Sequence, residues 1–250
     1  MQKFLVIAVA VLFLNPIARA DRFTTIGSRA AQHPSDFIDW TQLAPDSTTV
    51  TSPQIVTTFN GRSVSVGNSD SSNFYVLTEG WSWIGNFDYG EALVWNFGVG
   101  VSAPLRAPFR MELSSGVGSF GLTIQSDNYG AFTATVTAYD CSGSFKKLTT
   151  RTFIGTSTGL ENDSAVFVGL GDTSGANICA ITVFTADASG FNDFAIDGVS
   201  FTSGAFVNDG AQLGTQGLVK SPTSPPSVPE QNPLHDKANR VPAGGDGQKF

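Results

Sequence analysis

Phe132-Thr133-Ala134-Thr135-Val136-Thr137-Ala138 alternates strictly between apolar and polar side chains. In extended backbone, successive side chains point to opposite faces. Phe132, Ala134, Val136 and Ala138 therefore share one face, and three threonines share the other. That is the pattern of an antiparallel strand with one buried face. Ser142-Gly143 supplies a turn, and the run from Phe145 to Ile154 returns, which makes a β-hairpin.

Working outward, the same vocabulary recurs. Gln54–Phe59, Ser63–Val66, Phe74–Thr78, Ala92–Phe97, Phe109–Leu113, Ser119–Gln125, Ser164–Leu170, Ile178–Thr185 and Phe194–Phe201 are rich in Phe, Val, Ile and Thr. Gly, Asn, Asp and Ser separate them at short intervals. No window sustains a helical period. Roughly eleven strands exceed what one flat sheet tolerates, and two packed sheets solve the burial problem. The expected fold is all-β: a two-sheet antiparallel β-sandwich, jelly-roll-like, over residues 36–206. In the last strand Phe194 and Ile196 lie on one parity, Val199 and Phe201 on the other. One extra residue near Asp197-Gly198, a β-bulge, returns all four to the core.

The ends read differently. Lys3, the apolar run Phe4–Leu14, Pro16 and Ala18-Arg19-Ala20 make residues 1–20 an export signal. Its apolar run is too short to span a bilayer as a helix. Residues 21–35 form an N-terminal lead. Residues 207–250, with four prolines between Ser221 and Pro229 and a Gly-rich polar end, are expected to be a disordered tail. The formal charge of −7 becomes −9 once the leader takes away Lys3 and Arg19, since it carries no acid. The remaining acidic surface offers no basic patch for a phosphate backbone, so nucleic acid is disfavoured as a partner. So is insertion into a membrane after the leader is cut. The expected location is secreted, extracellular. An oxidising compartment makes a Cys141–Cys179 disulfide the expected state of the two cysteines, with two free buried thiols as the alternative.

Four stretches carry a family likeness. They are Phe37-Ile38-Asp39-Trp40-Thr41-Gln42-Leu43, Gly80-Trp81-Ser82-Trp83-Ile84-Gly85-Asn86-Phe87, Gly130–Val136 with Tyr139-Asp140, and Asn192-Asp193-Phe194-Ala195-Ile196-Asp197-Gly198-Val199-Ser200-Phe201. From about Phe37 to Phe201 the chain resembles the ectodomains of bacterial PEP-CTERM exported proteins. The last stretch is also similar to the closing strand of jelly-roll carbohydrate-binding modules. The family's sorting signal is Val-Pro-Glu-Pro followed by a membrane helix and a basic cluster. Here Val228-Pro229-Glu230 is followed by Gln231, and no apolar span or Arg run comes after it. The expectation is an absent or eroded anchor and free release.

Little of the chemistry-bearing inventory points to catalysis. His33 and His235 are the only histidines, one in the lead and one in the tail. A Ser-His-Asp hydrolase or a zinc hydrolase needs imidazoles placed by the fold. Paired carboxylates can hydrolyse glycosidic bonds without histidine. Glu112 has the parity opposite to Met111 and Leu113, and Glu91 opens a strand, so both are expected at the surface. A glycoside hydrolase or lyase using Glu and Asp stays as one alternative. Asn162-Asp163-Ser164 is a glycosylation sequon, a weak pattern.

Two candidate sites remain. Trp81, Trp83, Asn86, Asp88 and Tyr89 crowd one Gly-flanked segment. Planar rings can stack on a sugar, and Asn86 or Asp88 can bond its hydroxyls. Trp81 and Trp83 share parity and would point the same way in extended backbone. The more ordinary use of such rings is to cap the core, and Trp40 and Trp95 are expected there. The carbohydrate-binding-module likeness also implies a structural Ca2+ held by Asp197 and Asp193, completed by Asp36 or Asp39, since calcium takes six to eight oxygens. The alternative is that Asp197 fixes the bulge. The leading expectation is a secreted, non-catalytic protein that binds extracellular glycans or a polysaccharide matrix. A structural or adhesive surface protein without a small ligand is the other alternative.

Overall fold

In a computed structural model, residues 22–97, 107–188 and 190–208 are described. The expected leader, the tail from residue 209 with His235, and Val228-Pro229-Glu230 lie outside them. The described chain runs β1 (Phe23–Ile26), α1 (Arg29–Gln32), β2 (Asp36–Phe37), a 3-10 turn (Trp40–Gln42), β3 (Thr48–Val50), β4 (Gln54–Thr57), β5 (Ser63–Asn68), β6 (Phe74–Thr78) and β7 (Ala92–Asn96). It continues through β8 (Phe109–Val117), β9 (Ser119–Ser126), β10 (Gly130–Tyr139), β11 (Lys147–Ser157), β12 (Val166–Asp172), β13 (Ile178–Asp187), β14 (Gly190–Asn192) and β15 (Phe194–Thr202).

The alternating stretch is the middle of β10, which pairs with β11 on one side and β13 on the other. Its apolar residues are buried, and Thr135 lies opposite Thr152 and Thr137 opposite Thr150 on the outer face. The return strand begins at Lys147 rather than Phe145. Asp140 gathers the amides of Ser142 (3.1 Å) and Lys146 (2.8 Å), and Phe145 takes a positive φ within the turn.

Two antiparallel sheets face each other. One has the order β1-β12-β9-β15-β7-β6-β3, with β2 beside β15; the other runs β11-β10-β13-β8-β5-β4, with β14 beside β13. From β8 onward the chain passes repeatedly between the sheets, as in jelly-roll folds. The shared core includes Phe74, Phe109, Phe120, Leu122, Ile124, Phe194 and Phe201. The bulge lies where parity placed it: the register of β15 on β9 shifts between Asp197 and Ser200, and Gly198 takes φ 58°. Phe194, Ile196, Val199 and Phe201 all face the core.

The sandwich starts earlier than Asp36. β1 pairs with β12, and Gln32 of α1 is buried, donating to the Ser200 carbonyl (2.9 Å) and Ser119 Oγ (3.3 Å). Four residues of strand beside two of turn give too short a pattern to separate from a lead by alternation alone. Trp40 is buried in the core, on the 3-10 turn rather than a strand. The Cys141–Cys179 disulfide is formed, with Cα atoms 4.9 Å apart, and ties the β10–β11 turn to β13. No helix among the described residues is long and apolar enough to cross a membrane.

A second apolar cluster lies on the outer face of the first sheet. Leu77, Leu93 and Ala195 rise from β6, β7 and β15 and meet Trp83 and Phe87 from the β6–β7 connection. Trp95 is half-buried there, 6.0 Å from Trp83 and 4.5 Å from Phe97 between ring centroids, instead of lying between the sheets. The outer layer makes the aromatic segment a fixed part of the fold.

Candidate functional site

The connection from Glu79 to Glu91 is a looped layer, not a strand. The amides of Trp81, Ser82 and Trp83 all reach the Thr78 carbonyl, at 3.2, 3.1 and 3.1 Å. Backbone coiled in this way has no period of two, so the shared parity of Trp81 and Trp83 loses its meaning. Trp83 is 6% exposed and packs into the outer cluster; Trp81 is 70% exposed. The five expected ligand residues accordingly divide. Trp81, Asp88 and Tyr89 are at the surface, whereas Trp83 and Asn86 are buried.

Asn86 is buried, and both of its side-chain N–H donors are taken. Its Nδ2 donates to Thr158 Oγ1 (2.6 Å) and Ser164 Oγ (2.8 Å), and its Oδ1 accepts from the Thr158 amide (2.6 Å). The Asn86 amide donates to Gln125 Oε1 at 2.5 Å. Asn86 therefore ties the aromatic loop to β9 and to the segment at residues 158–164. Glu79 holds the loop from beneath. It is fully buried, and its Oε1 accepts from the Gly85 amide at 2.7 Å. Burial pushes its carboxyl above the usual range, and the Gly85 bond pulls the other way.

What this framework presents outward is a pair of rings. Trp81 Nε1–H donates to the Tyr89 hydroxyl at 2.8 Å, and Tyr89 is 61% exposed. Gly80 makes the pairing possible. At φ 81° it turns the chain, and a Cβ there would fall 2.3 Å from the Tyr89 ring. Asp88 Oδ1 accepts from the Tyr89 amide at 3.0 Å, and Asp88 itself is exposed. A cleft of about 460 Å³ adjoins the loop's base, lined by Thr41, Gln42, Leu43, Asp46, Val76 and Thr78 among others. Asp46 accepts a short hydrogen bond from Ser82 Oγ, so cleft and loop share a wall.

The expected calcium set does not assemble. Asp39 caps the 3-10 turn, accepting from the Thr41 amide (2.9 Å) and hydroxyl (2.7 Å). Asp193 is buried at the start of β15, and Asp36 is engaged with Thr58 Oγ1 at 2.7 Å. Among the described residues, no three His, Cys, Asp or Glu side chains are grouped so as to hold a metal ion. Asp197, on β15, instead has Glu91, at the start of β7, as its acidic neighbour.

Glu91 was expected at the surface and is half-buried. Burial first, and then the neighbouring Asp197 charge, push its carboxyl up to about 8. Burial likewise raises Asp197, against an opposing bond from the Gly198 amide. Glu112, likewise half-buried, is paired with Arg110 at 2.5 Å.

No protein-family model and no curated protein matches the chain. The crystal structure of a DUF4465 family protein from Bacteroides caccae is similar over 72% of this chain and 99% of that one, at 10% identity and a TM-score of 0.34. A likeness at that level carries no argument about function.

Proposed function

We propose that the protein is a secreted, non-catalytic binding module that recognises extracellular glycan through the outer face of the Glu79–Glu91 loop. One observation carries this reading: two large rings, Trp81 and Tyr89, are bonded to each other at the surface of a loop whose other side is packed into the fold. An exposed tryptophan held in one orientation offers a sugar a flat apolar face with little ordering cost left to meet on binding. Asp88 supplies an acceptor for hydroxyls beside it. The disulfide fits the exported location.

Affinity gel electrophoresis against a panel of soluble polysaccharides tests the reading. Retardation by at least one, lost in Trp81→Ala, is the expected result. Absence of retardation by every member of the panel removes it.

A structural or adhesive role draws on a different patch. Phe37 and Phe59 stack with centroids 4.9 Å apart, and both are exposed, as is Ile55 of the edge strand β4. Apolar surface of this kind marks association sites. Sedimentation velocity without sugar discriminates: concentration-dependent self-association that Phe59→Ser abolishes supports this second role.

A further inference from the structure

The aromatic loop meets a further exposed ring that comes from elsewhere in the chain. The loop turns Trp83, Asn86 and Phe87 inward and leaves Trp81, Ile84 and Tyr89 outside. Tyr129, from the turn between β9 and β10, donates its hydroxyl to the Ile84 carbonyl at 3.2 Å, and its side chain is 65% exposed. Gly159 makes room for that contact. A Cβ on it would fall 2.9 Å from the Tyr129 hydroxyl oxygen and 3.6 Å from Ile84 Cγ2. Leu160 follows, exposed, with its amide on Thr158 Oγ1 at 3.3 Å. Asn86 is bonded to the same Thr158, so the ring and its apolar neighbours share the framework that fixes the loop.

Two ring-bearing ends therefore stand on the outer side of one loop. Trp81 and Tyr89 make the first. Tyr129, with Ile84 and Leu160 beside it, makes the second. Trp81 and Ile84 are three residues apart, a backbone span of at most about 11 Å. Exposed apolar residues scattered singly need no explanation. Rings bonded in place at both ends of an exposed segment fit a ligand that lies across both. Charge narrows its chemistry. Asp88, Glu161 and Asp163 are exposed along the strip, and none of the residues that form it is Lys or Arg. Asp163 is kept there because Ser164 accepts from Asn86 at 2.8 Å. A uronate or sulfate chain would meet carboxylates that repel it.

We propose that Tyr129 is a second stacking platform of the loop site, and that the site takes an uncharged polysaccharide chain laid from Trp81 to Tyr129. This deepens the glycan reading above and rests on it. Each platform is held by a hydrogen bond before the ligand arrives. A chain long enough to reach both rings gains the second contact within one complex, at little further ordering cost. A short oligosaccharide reaches one ring alone.

Affinity gel electrophoresis of the whole protein against hydroxyethyl cellulose, galactomannan, laminarin, chitosan and alginate tests the charge class. Calorimetric titration with oligosaccharides of increasing length, cut from the polymer that retards most, tests the second platform. The expected result is retardation by a neutral polymer and none by alginate, with affinity rising as the oligosaccharide lengthens. Tyr129→Ala is expected to weaken binding of the long oligosaccharide by about two- to tenfold and to leave the disaccharide unaffected. Tyr129→Phe keeps the flat face and is expected to stay within about twofold of wild type. If Tyr129→Ala binds every length as wild type does, the second platform is overturned and the Trp81 reading stands. Retardation by alginate, or by chitosan alone, overturns the assignment of an uncharged chain. Absence of retardation by every polymer removes the loop site altogether, and the role of Tyr129 with it.

Discussion

The indole N–H of Trp81 is bonded to the phenolic oxygen of Tyr89, eight residues further on, at 2.8 Å. Two tryptophans separated by a single residue in the same loop therefore have opposite duties. Trp83 is core and Trp81 is surface. Trp83→Ala is expected to cost about 3–5 kcal/mol, as truncation of a buried aromatic does. Trp81→Ala is expected to stay within about 0.5 kcal/mol, as surface changes do. Urea denaturation of both variants checks the pair. Equal losses would place both rings in the packing.

Asn86 bridges the aromatic loop and the segment before β12 with three side-chain hydrogen bonds. Asn86→Ala leaves the Thr158 amide without its acceptor. A loss of about 1–3 kcal/mol is expected, the usual cost of orphaning a buried polar group. Hydrogen exchange should rise at Thr158 while the β10 amides keep their protection. A uniform rise would mean that the bridge is not local.

The disulfide closes a loop of 38 residues. The chain-entropy account puts its worth at roughly 3–4 kcal/mol. Cys141→Ser with Cys179→Ser is expected to lower stability by that amount and to leave the β-sheet circular dichroism unchanged. A change below about 1 kcal/mol would show that the β10–β13 pairing already constrains the unfolded chain.

Acid stability is expected to depend on Asp172. Burial raises this carboxyl, but bonds from Ser174 and Asn177, with Arg22 nearby, outweigh burial and hold it below its ordinary range. A depressed carboxyl stabilises the fold above the unfolded-state value, and that contribution is lost as pH falls through the folded one. Glu91 has the opposite sign: its raised carboxyl makes stability decline from about pH 4.5 toward 8. The melting temperature should therefore peak in mild acid. Asp172→Asn should melt lower than wild type at pH 6, with the gap closing below about pH 4. A gap that persists at pH 2.5 would assign the effect to packing.

Alternation was enough to read β10, the hairpin and the burial of Phe132, Ala134, Val136 and Ala138. A parity switch was enough to place the bulge at Asp197-Gly198. Each of these is a property of one strand and its two faces. The Glu91–Asp197 pair depends on β7 lying beside β15, about 100 residues apart, and no local pattern carries that adjacency. Parity paired Trp83 with Trp81 as a possible sugar platform, but the backbone there coils and Trp83 takes the core-capping role that was the more ordinary reading; Asn86, named for a polar side chain beside the rings, is turned inward by the same coil. Asp39 was grouped with Asp197 by strand neighbourhood, yet its carboxylate is used by a turn two residues away. What the chain hides is tertiary: which strands adjoin, and which side chain a loop turns inward.

β1 leaves the ribosome among the first described residues, but its partner β12 follows almost 150 residues later. The edge of the first sheet cannot close until most of the polypeptide has been synthesised. Until then Phe23 and Ile26 have no surface to cover. The nascent chain therefore keeps its first strand unpaired for most of its synthesis, and the last third of the protein decides when that strand comes to rest.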